Sequence, residues 1–140
     1  STAALDDAAP AVRRTAVVAL ARLLGRDYLK WRPELAHRFL CRLGDADGRV
    51  KALARHALVE VLLPREPTLF VNHLASLAAC LTGESVNPAT ADLARAFGGA
   101  AGAARRRAVY AALLEATPDE GRVQLAAKLA RDVLGPAADC

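Results

Sequence analysis

The sequence predicts an all-α fold, a superhelical stack of antiparallel helix pairs, and two observations carry the prediction. First, Leu5 to Leu24 (LDDAAPAVRRTAVVALARLL) and Leu43 to Leu62 (LGDADGRVKALARHALVEVL) are copies of one segment, related by a shift of 38 residues. The shift takes Asp7 to Asp45, Val12 to Val50, Arg13 to Lys51, Ala16 to Ala54, Leu20 to Leu58 and Leu24 to Leu62. Second, Val50, Leu53, Ala54, Ala57, Leu58, Val61 and Leu62 recur three and four apart. Val12, Thr15, Ala16, Ala19, Leu20, Leu23 and Leu24 match them in the first copy. Each set is one continuous stripe on a helix of 3.6 residues per turn. Such a helix buries its stripe only against a neighbour, and a repeat near 40 residues falls in the HEAT and armadillo range. The predicted architecture is a HEAT-type α-solenoid.

Composition agrees. Hydrophobic residues make up 54% of the chain and aromatics only 4%, the Ala- and Leu-rich balance of close-packed helices. No run of ~18 uncharged apolar residues occurs, so no membrane span is expected. No signal peptide is expected either, since the first twenty residues carry Asp6, Asp7, Arg13 and Arg14. The chain begins without Met, on what reads as the second helix of a repeat, and so reads as a piece of a longer array. Cys41, Cys80 and Cys140 are odd in number and far apart, the pattern of buried thiols in a reducing compartment. A net charge of +4 is mildly basic, compatible with nucleic acid without requiring it.

In order, Ser1 to Leu5 reads as the tail of a preceding helix. The acidic loops Asp6-Asp7 and Asp45 to Asp47 supply caps for the helices that follow. The first helix runs from about Pro10 to Leu24, with Gly25 as its C′ residue. A charged, aromatic linker, Arg26 to Arg32, leads to Pro33, which opens a helix with Leu35, Ala36, Phe39, Leu40 and Leu43 on one face. Gly44 to Gly48 turns into the second copy. Pro64 and Pro67 stop that helix and start another, carrying Phe70, His73, Leu74, Leu77, Ala78 and Leu81.

After Leu81 the repeat fails. Asn87-Pro88 opens a short helix to about Phe97, and Gly98 to Gly102 forms a flexible joint. Periodicity resumes at about Ala103, with Val109, Ala112, Leu113 and Ala116 on a face. Thr117-Pro118-Asp119-Glu120 is a capping box, and the last helix, to about Leu134, carries Val123, Ala126, Ala127, Ala130 and Leu134. Residues 1–81 are thus repeats, the first truncated, 82–104 an irregular insert, and 105–140 a helical hairpin continuing the array.

The candidate binding residues for DNA or a partner are cationic or aromatic. Arg13, Arg14, Lys51 and Arg55 lie near the starts of the repeated helices, where stacking would align them into a strip for phosphate. The plainer reading, and the favoured one, pairs Arg13 and Lys51 with Asp7 and Asp45 of adjacent repeats. Arg105, Arg106 and Arg107 form the densest basic cluster, at a helix start where the macrodipole opposes them; solvated surface is the plainer reading. Lys30 lies between Tyr28 and Trp31, a grouping that stacks on bases or packs the linker against the repeat junction. His56 and Glu60 are one turn apart, with no third metal ligand in reach. There is no P-loop, no acid/base pair and no nucleophilic triad. Neither catalysis, nor a metal, a cofactor or a small-molecule substrate is expected.

Two blocks of residues also carry a family resemblance. Leu23 to Trp31 (LLGRDYLKW), followed by Arg38-Phe39-Leu40, resembles the C-terminal HEAT region of the D-type non-SMC subunits of condensin II. The likeness continues through Leu63-Pro64, Pro67, Leu69-Phe70 and Asn72-His73. Beyond the insert it returns in Arg106-Arg107, Val109-Tyr110, Leu113-Leu114, Asp119-Glu120 and Arg122. The insert here is short and rich in Gly and Ala, and many core positions are Ala. The resemblance implies a non-catalytic scaffold in mitotic chromosome condensation, nuclear and on mitotic chromosomes. Its implied partners are a kleisin, an SMC pair, a second HEAT subunit and chromatin, with DNA held weakly and without sequence preference. The repeat alone would equally suit a HEAT adaptor in nuclear transport or trafficking.

Overall fold

A computed structural model of the chain describes residues 2–27, 30, 32–66, 69–83, 88–117 and 119–130. Every regular element among them is helical. They fall in two compact units, Ser1–Pro67 and Thr68–Cys140.

The first unit holds a 3-10 turn (Thr2–Asp6), α1 (Pro10–Gly25), α2 (Pro33–Cys41), a second 3-10 turn (Arg42–Gly44) and α3 (Gly48–Ala57). A π turn (Leu58–Leu62) and one further helical turn, α4 (Leu63–Arg65), complete it. Prolines begin α1 and α2, where the missing N–H costs nothing. The two copies of the repeat lie side by side, α1 against α3. The core of the pair buries Val17, Leu20 and Leu24 of the first copy and Val50, Ala54 and Leu58 of the second, with Leu5 wholly enclosed. The α2 face is buried as predicted, from Leu35 and Ala36 through Phe39 and Leu40 to Leu43.

The α1 stripe is only half covered. Ala16, Leu20 and Leu24 are buried, but Val12 and Leu23 are each 39% exposed, and Val17 and Ala21 are buried instead. The face toward α3 turns on 17 and 21, while Val12, Thr15, Ala19 and Leu23 line an open apolar groove with Ala4 and Ala11. The predicted caps also divide. Asp47 accepts the N–H groups of Arg49 and Val50, both at 3.0 Å, and caps α3. Ala9 precedes α1 without a side-chain cap. Asp6 is drawn away to Arg38 and Arg42, and Asp7 accepts from the Ala9 N–H.

The second copy is not the single regular helix its stripe predicts. Pro64 has no N–H to offer the Glu60 carbonyl four residues back, and its ring would collide with it. The wider π turn ends at Leu62, two residues before this proline, and helical bonding resumes with the Glu66 N–H on the Leu62 carbonyl at 2.9 Å. Gly25 has a different job from the one predicted. The left-handed residue after α1 is Asp27, with φ 60°, whereas Gly25 is the last helical residue. A Cβ on Gly25 would stand 2.7 Å from Val61 Cγ1, so glycine lets the end of α1 touch the π turn. Arg65 closes this end of the unit by donating to the Gly25 carbonyl and the Asp27 carboxylate.

Charge ties the other end. The Asp45 side chain, 2% exposed, accepts from Arg13 Nε at 2.9 Å and Nη2 at 3.0 Å, and from Arg42 Nη1 at 2.8 Å. It also accepts the Asp47 N–H at 2.9 Å. Asp6 takes Arg38 at 2.5 Å and Arg42 at 3.4 Å. The network joins the 3-10 turn, the start of α1, α2 and the turn into α3.

The second unit holds α5 (Leu69–Thr82), a 3-10 turn (Pro88–Thr90), α6 (Ala91–Phe97), α7 (Ala103–Ala116) and α8 (Asp119–Leu129). Its core gathers Leu77, Ala78 and Leu81 of α5 with Leu93 and Phe97 of α6. From α7 come Val109, Ala112, Leu113 and Ala116, the predicted face residue for residue. The side chains of Phe70 and Leu74, Asn87, Pro118, the Glu120 side chain and everything from Arg131 to Cys140 lie outside the described residues. Of the expected capping box, Thr117 donates its hydroxyl to the Leu113 carbonyl at 2.6 Å, closing α7.

Gly98 to Gly102 forms a turn in which Gly102 is buried and a Cβ on it would collide with the Phe97 carbonyl. One expectation is corrected here. The α8 stripe faces outward: Val123 is 76% exposed and Ala126, Ala127 and Ala130 are exposed, while Leu125 is wholly buried. Alanines offer little area to bury, so the large Leu125 side chain decides which side of α8 turns inward.

Burial pushes the Asp45 carboxyl upward, but the Arg13 and Asp47 hydrogen bonds and the charges of Arg42 and Arg13 outweigh it and hold it below its ordinary value. Its contribution to stability is therefore complete above that ordinary value, 3.8, and fades as pH falls through the lower folded value. Asp45→Asn should cost about 3–5 kcal/mol at neutral pH by leaving Arg13 sequestered without a counter-ion and Arg42 with only Asp6, at 3.4 Å. Urea unfolding followed by circular dichroism should show that gap narrowing only below roughly pH 4.

Candidate functional site

With 19 Lys and Arg against 15 Asp and Glu, the useful distinction is between cations already engaged and cations left to solvent. Arg13 is engaged. Its side chain is 13% exposed and grips Asp45 through two nitrogens, with Nη1 on the Asp7 carbonyl at 2.7 Å. Arg14 stands 3.8 Å from Asp47. Lys51, the counterpart of Arg13, is exposed and without an ion pair among the described residues, and so is Arg55. The repeat explains the difference. The shift that takes Asp7 to Asp45 lands next on Gly83, so Lys51 inherits no equivalent acid. Lys30 is exposed, while its neighbours Tyr28 and Trp31 lie outside the described residues.

In the second unit the arginine triplet divides. Arg105 lies over the Phe97 ring, 4.5 Å from its centroid, a cation–π contact. Arg106 donates to the Phe97 carbonyl at 2.5 Å and the Gly99 carbonyl at 2.7 Å. Both lie at the carbonyl-rich C-terminal end of α6, whose partial negative charge offsets the unfavourable N-terminus of α7. Arg107 is exposed, with no ion pair among the described residues.

A cleft between α1 and α3 in the first unit is not foreseen by the sequence pattern. It encloses about 340 Å³, walled by Val18 and Ala21 on one side and Leu53, Ala57 and Val61 on the other. Arg22, Arg26 and His56 stand at its rim. The available signal is Ala21 with Gly25, two small residues one turn apart where α1 approaches its own repeat copy. His56 belongs to this rim and to an adjoining shallow groove with Lys51, Arg55 and Glu60. No group of three His, Cys, Asp or Glu among the described residues could hold a metal ion, and no helix among them is long and apolar enough to cross a membrane. Chemically, these surfaces offer charge and apolar contact.

The sequence model of a family described as the non-SMC mitotic condensation complex subunit 1 matches residues 2–134. The chain is 34% identical over 151 aligned positions to the condensin-2 complex subunit CAP-D3 of Arabidopsis thaliana, covering 99% of this chain and 11% of that protein. It is 28% identical over 138 positions to the condensin-2 complex subunit D3-L of Xenopus laevis, covering 93% of this chain and 9% of that one. With the condensin-2 complex subunit D3 of Mus musculus it shares 36% identity over 69 residues, 49% of this chain and 5% of the relative. The chain therefore spans about a tenth or less of these relatives. No solved structure matches it. Matched by the family model over residues 2–134, the chain belongs to the non-SMC mitotic condensation complex subunit 1 family, and the relatives it resembles are D3 proteins of condensin-2.

Proposed function

We propose that the protein carrying this chain is a non-catalytic scaffold subunit of condensin II that acts in mitotic chromosome condensation, in the nucleus and on mitotic chromosomes. The family match over residues 2–134 carries the reading. Its partners are a kleisin, an SMC pair and a second HEAT subunit, with chromatin as a further contact. Residues 1–81 act as HEAT repeats of an α-solenoid, 82–104 as an insert and 105–140 as a hairpin continuing the array. The 38-residue shift and the packing of α1 on α3 support that arrangement. Stacked helices suit the role because they present long surfaces to an extended partner. A generic adaptor in nuclear transport or trafficking draws no support, since these relatives are named as condensin-2 subunits.

DNA held by this chain is held weakly, through phosphates. Of the candidate cations, Lys30, Lys51, Arg55 and Arg107 are available to it, whereas Arg13 and Arg106 are occupied within the fold. Arg14, Arg105 and Trp31 complete the candidate set.

Two outcomes are expected. In anisotropy titrations of the chain with a labelled duplex, Lys51→Gln with Arg55→Gln should lower the slope of log K against log salt by about 0.9 for each phosphate no longer neutralised. Arg106→Gln should leave that slope unchanged and lower thermal stability. An unaltered slope in the double variant would make the pair ordinary solvated surface. Affinity purification of the full-length protein from mitotic cells should recover an SMC pair and a kleisin, and its depletion should leave chromosomes poorly compacted. Recovery of transport or coat components without any SMC protein would overturn the assignment.

A further inference from the structure

We propose that the cleft between α1 and α3 is a docking site for a short acidic segment of a protein partner, with one aliphatic or aromatic side chain inserted between the helices. This goes beyond the condensin assignment and does not depend on it, because it rests on the geometry of the first unit alone.

The cleft is built. Its volume of about 340 Å³ falls within the general range of ligand pockets, roughly 300–1,000 Å³. Ala21 and Ala57 are small and buried at the walls, and Gly25 lets Val61 close one end. Val61 belongs to the π turn ahead of Pro64, and such turns within helices are frequent at functional sites. Leu53 and Val61 lie on the repeat stripe yet are only half-buried, as is Val18 across from them. These three side chains face a gap that apolar atoms would fill.

The rim supplies the sign of the partner. Arg22 and Arg26 are exposed and pair with no carboxylate among the described residues. By contrast Arg13, Arg14, Arg38, Arg42 and Arg65 all hold acids. The place of Arg22 on the last turn of α1 and of Arg26 just beyond it suits the helix dipole, but does not account for the apolar gap they flank. His56 adds a third donor at the rim from α3. Carboxylates on either side of an apolar side chain meet both demands at once, and complementary charge of this kind sets partner choice and association rate. A nucleic acid has phosphates for the rim but no aliphatic group for the walls; its chemistry fits the outer Lys51 and Arg55 face better.

The test uses the 140-residue chain and three fluorescein-labelled probes. These are a decapeptide with a central Leu-Phe pair flanked by Asp, the same peptide with Ser-Ser at its centre, and a DNA duplex. The Leu-Phe peptide should bind, and Arg22→Glu with Arg26→Glu should weaken it about tenfold or more, the scale of removing one charge-assisted hydrogen bond. The folded state should be unaffected, since neither guanidinium holds an internal carboxylate, and an unchanged thermal melt checks this. Val18→Asp should weaken the peptide and leave duplex binding alone. Absence of Leu-Phe binding, or equal binding of the Ser-Ser peptide, would overturn the proposal. Equal weakening of peptide and duplex in the arginine variant, with Val18→Asp without effect, would overturn it in favour of a phosphate surface.

Discussion

The Asp45 carboxylate is the point on which the first unit depends. It sits on the turn between α2 and α3, yet two of its hydrogen bonds come from Arg13 on α1, and a third comes from Arg42. Buried ion pairs gain little over a well-packed apolar core. What this one supplies is placement: it sets the start of one repeat copy against the start of the next. Asp6 extends the same clasp to Arg38 and Arg42, and Leu5 is enclosed as a result.

At the opposite end of the pair the constraint is steric. Pro64 cannot complete a regular helix, the π turn before it redirects Val61, and only a glycine at 25 lets α1 come close enough to receive that side chain. The two copies are thus clasped by charge at one end and brought into contact at the other. Between them the small side chains of Ala21 and Ala57 leave an apolar gap with arginines at its edge.

The second unit manages its charges differently. Three consecutive arginines at a helix N-terminus are unfavourable for that helix, and the fold answers by bringing the C-terminal carbonyls of α6 beneath two of them. Basic residues adjacent in sequence consequently have separate fates: Arg105 and Arg106 bind the fold itself and Arg107 points to solvent.

Much of this was legible in the sequence. The 38-residue shift, the proline starts of α1 and α2, the Asp47 cap and the buried α2 and α7 faces all follow from local spacing. Local periodicity says which residues share a face, and where one side of a helix is much more apolar, that side goes inward. Four outcomes needed tertiary structure. They are which half of the α1 stripe meets α3, the π turn, the approach of Gly25 to Val61, and the inward turn of Leu125 on α8. In each, a helix offers more than one tolerable face, or two segments distant in sequence compete for the same space. The same holds for charge. Arg13 and Lys51 are equivalent by sequence, and only the position of Asp45 in space makes one a buried tie and leaves the other on the surface.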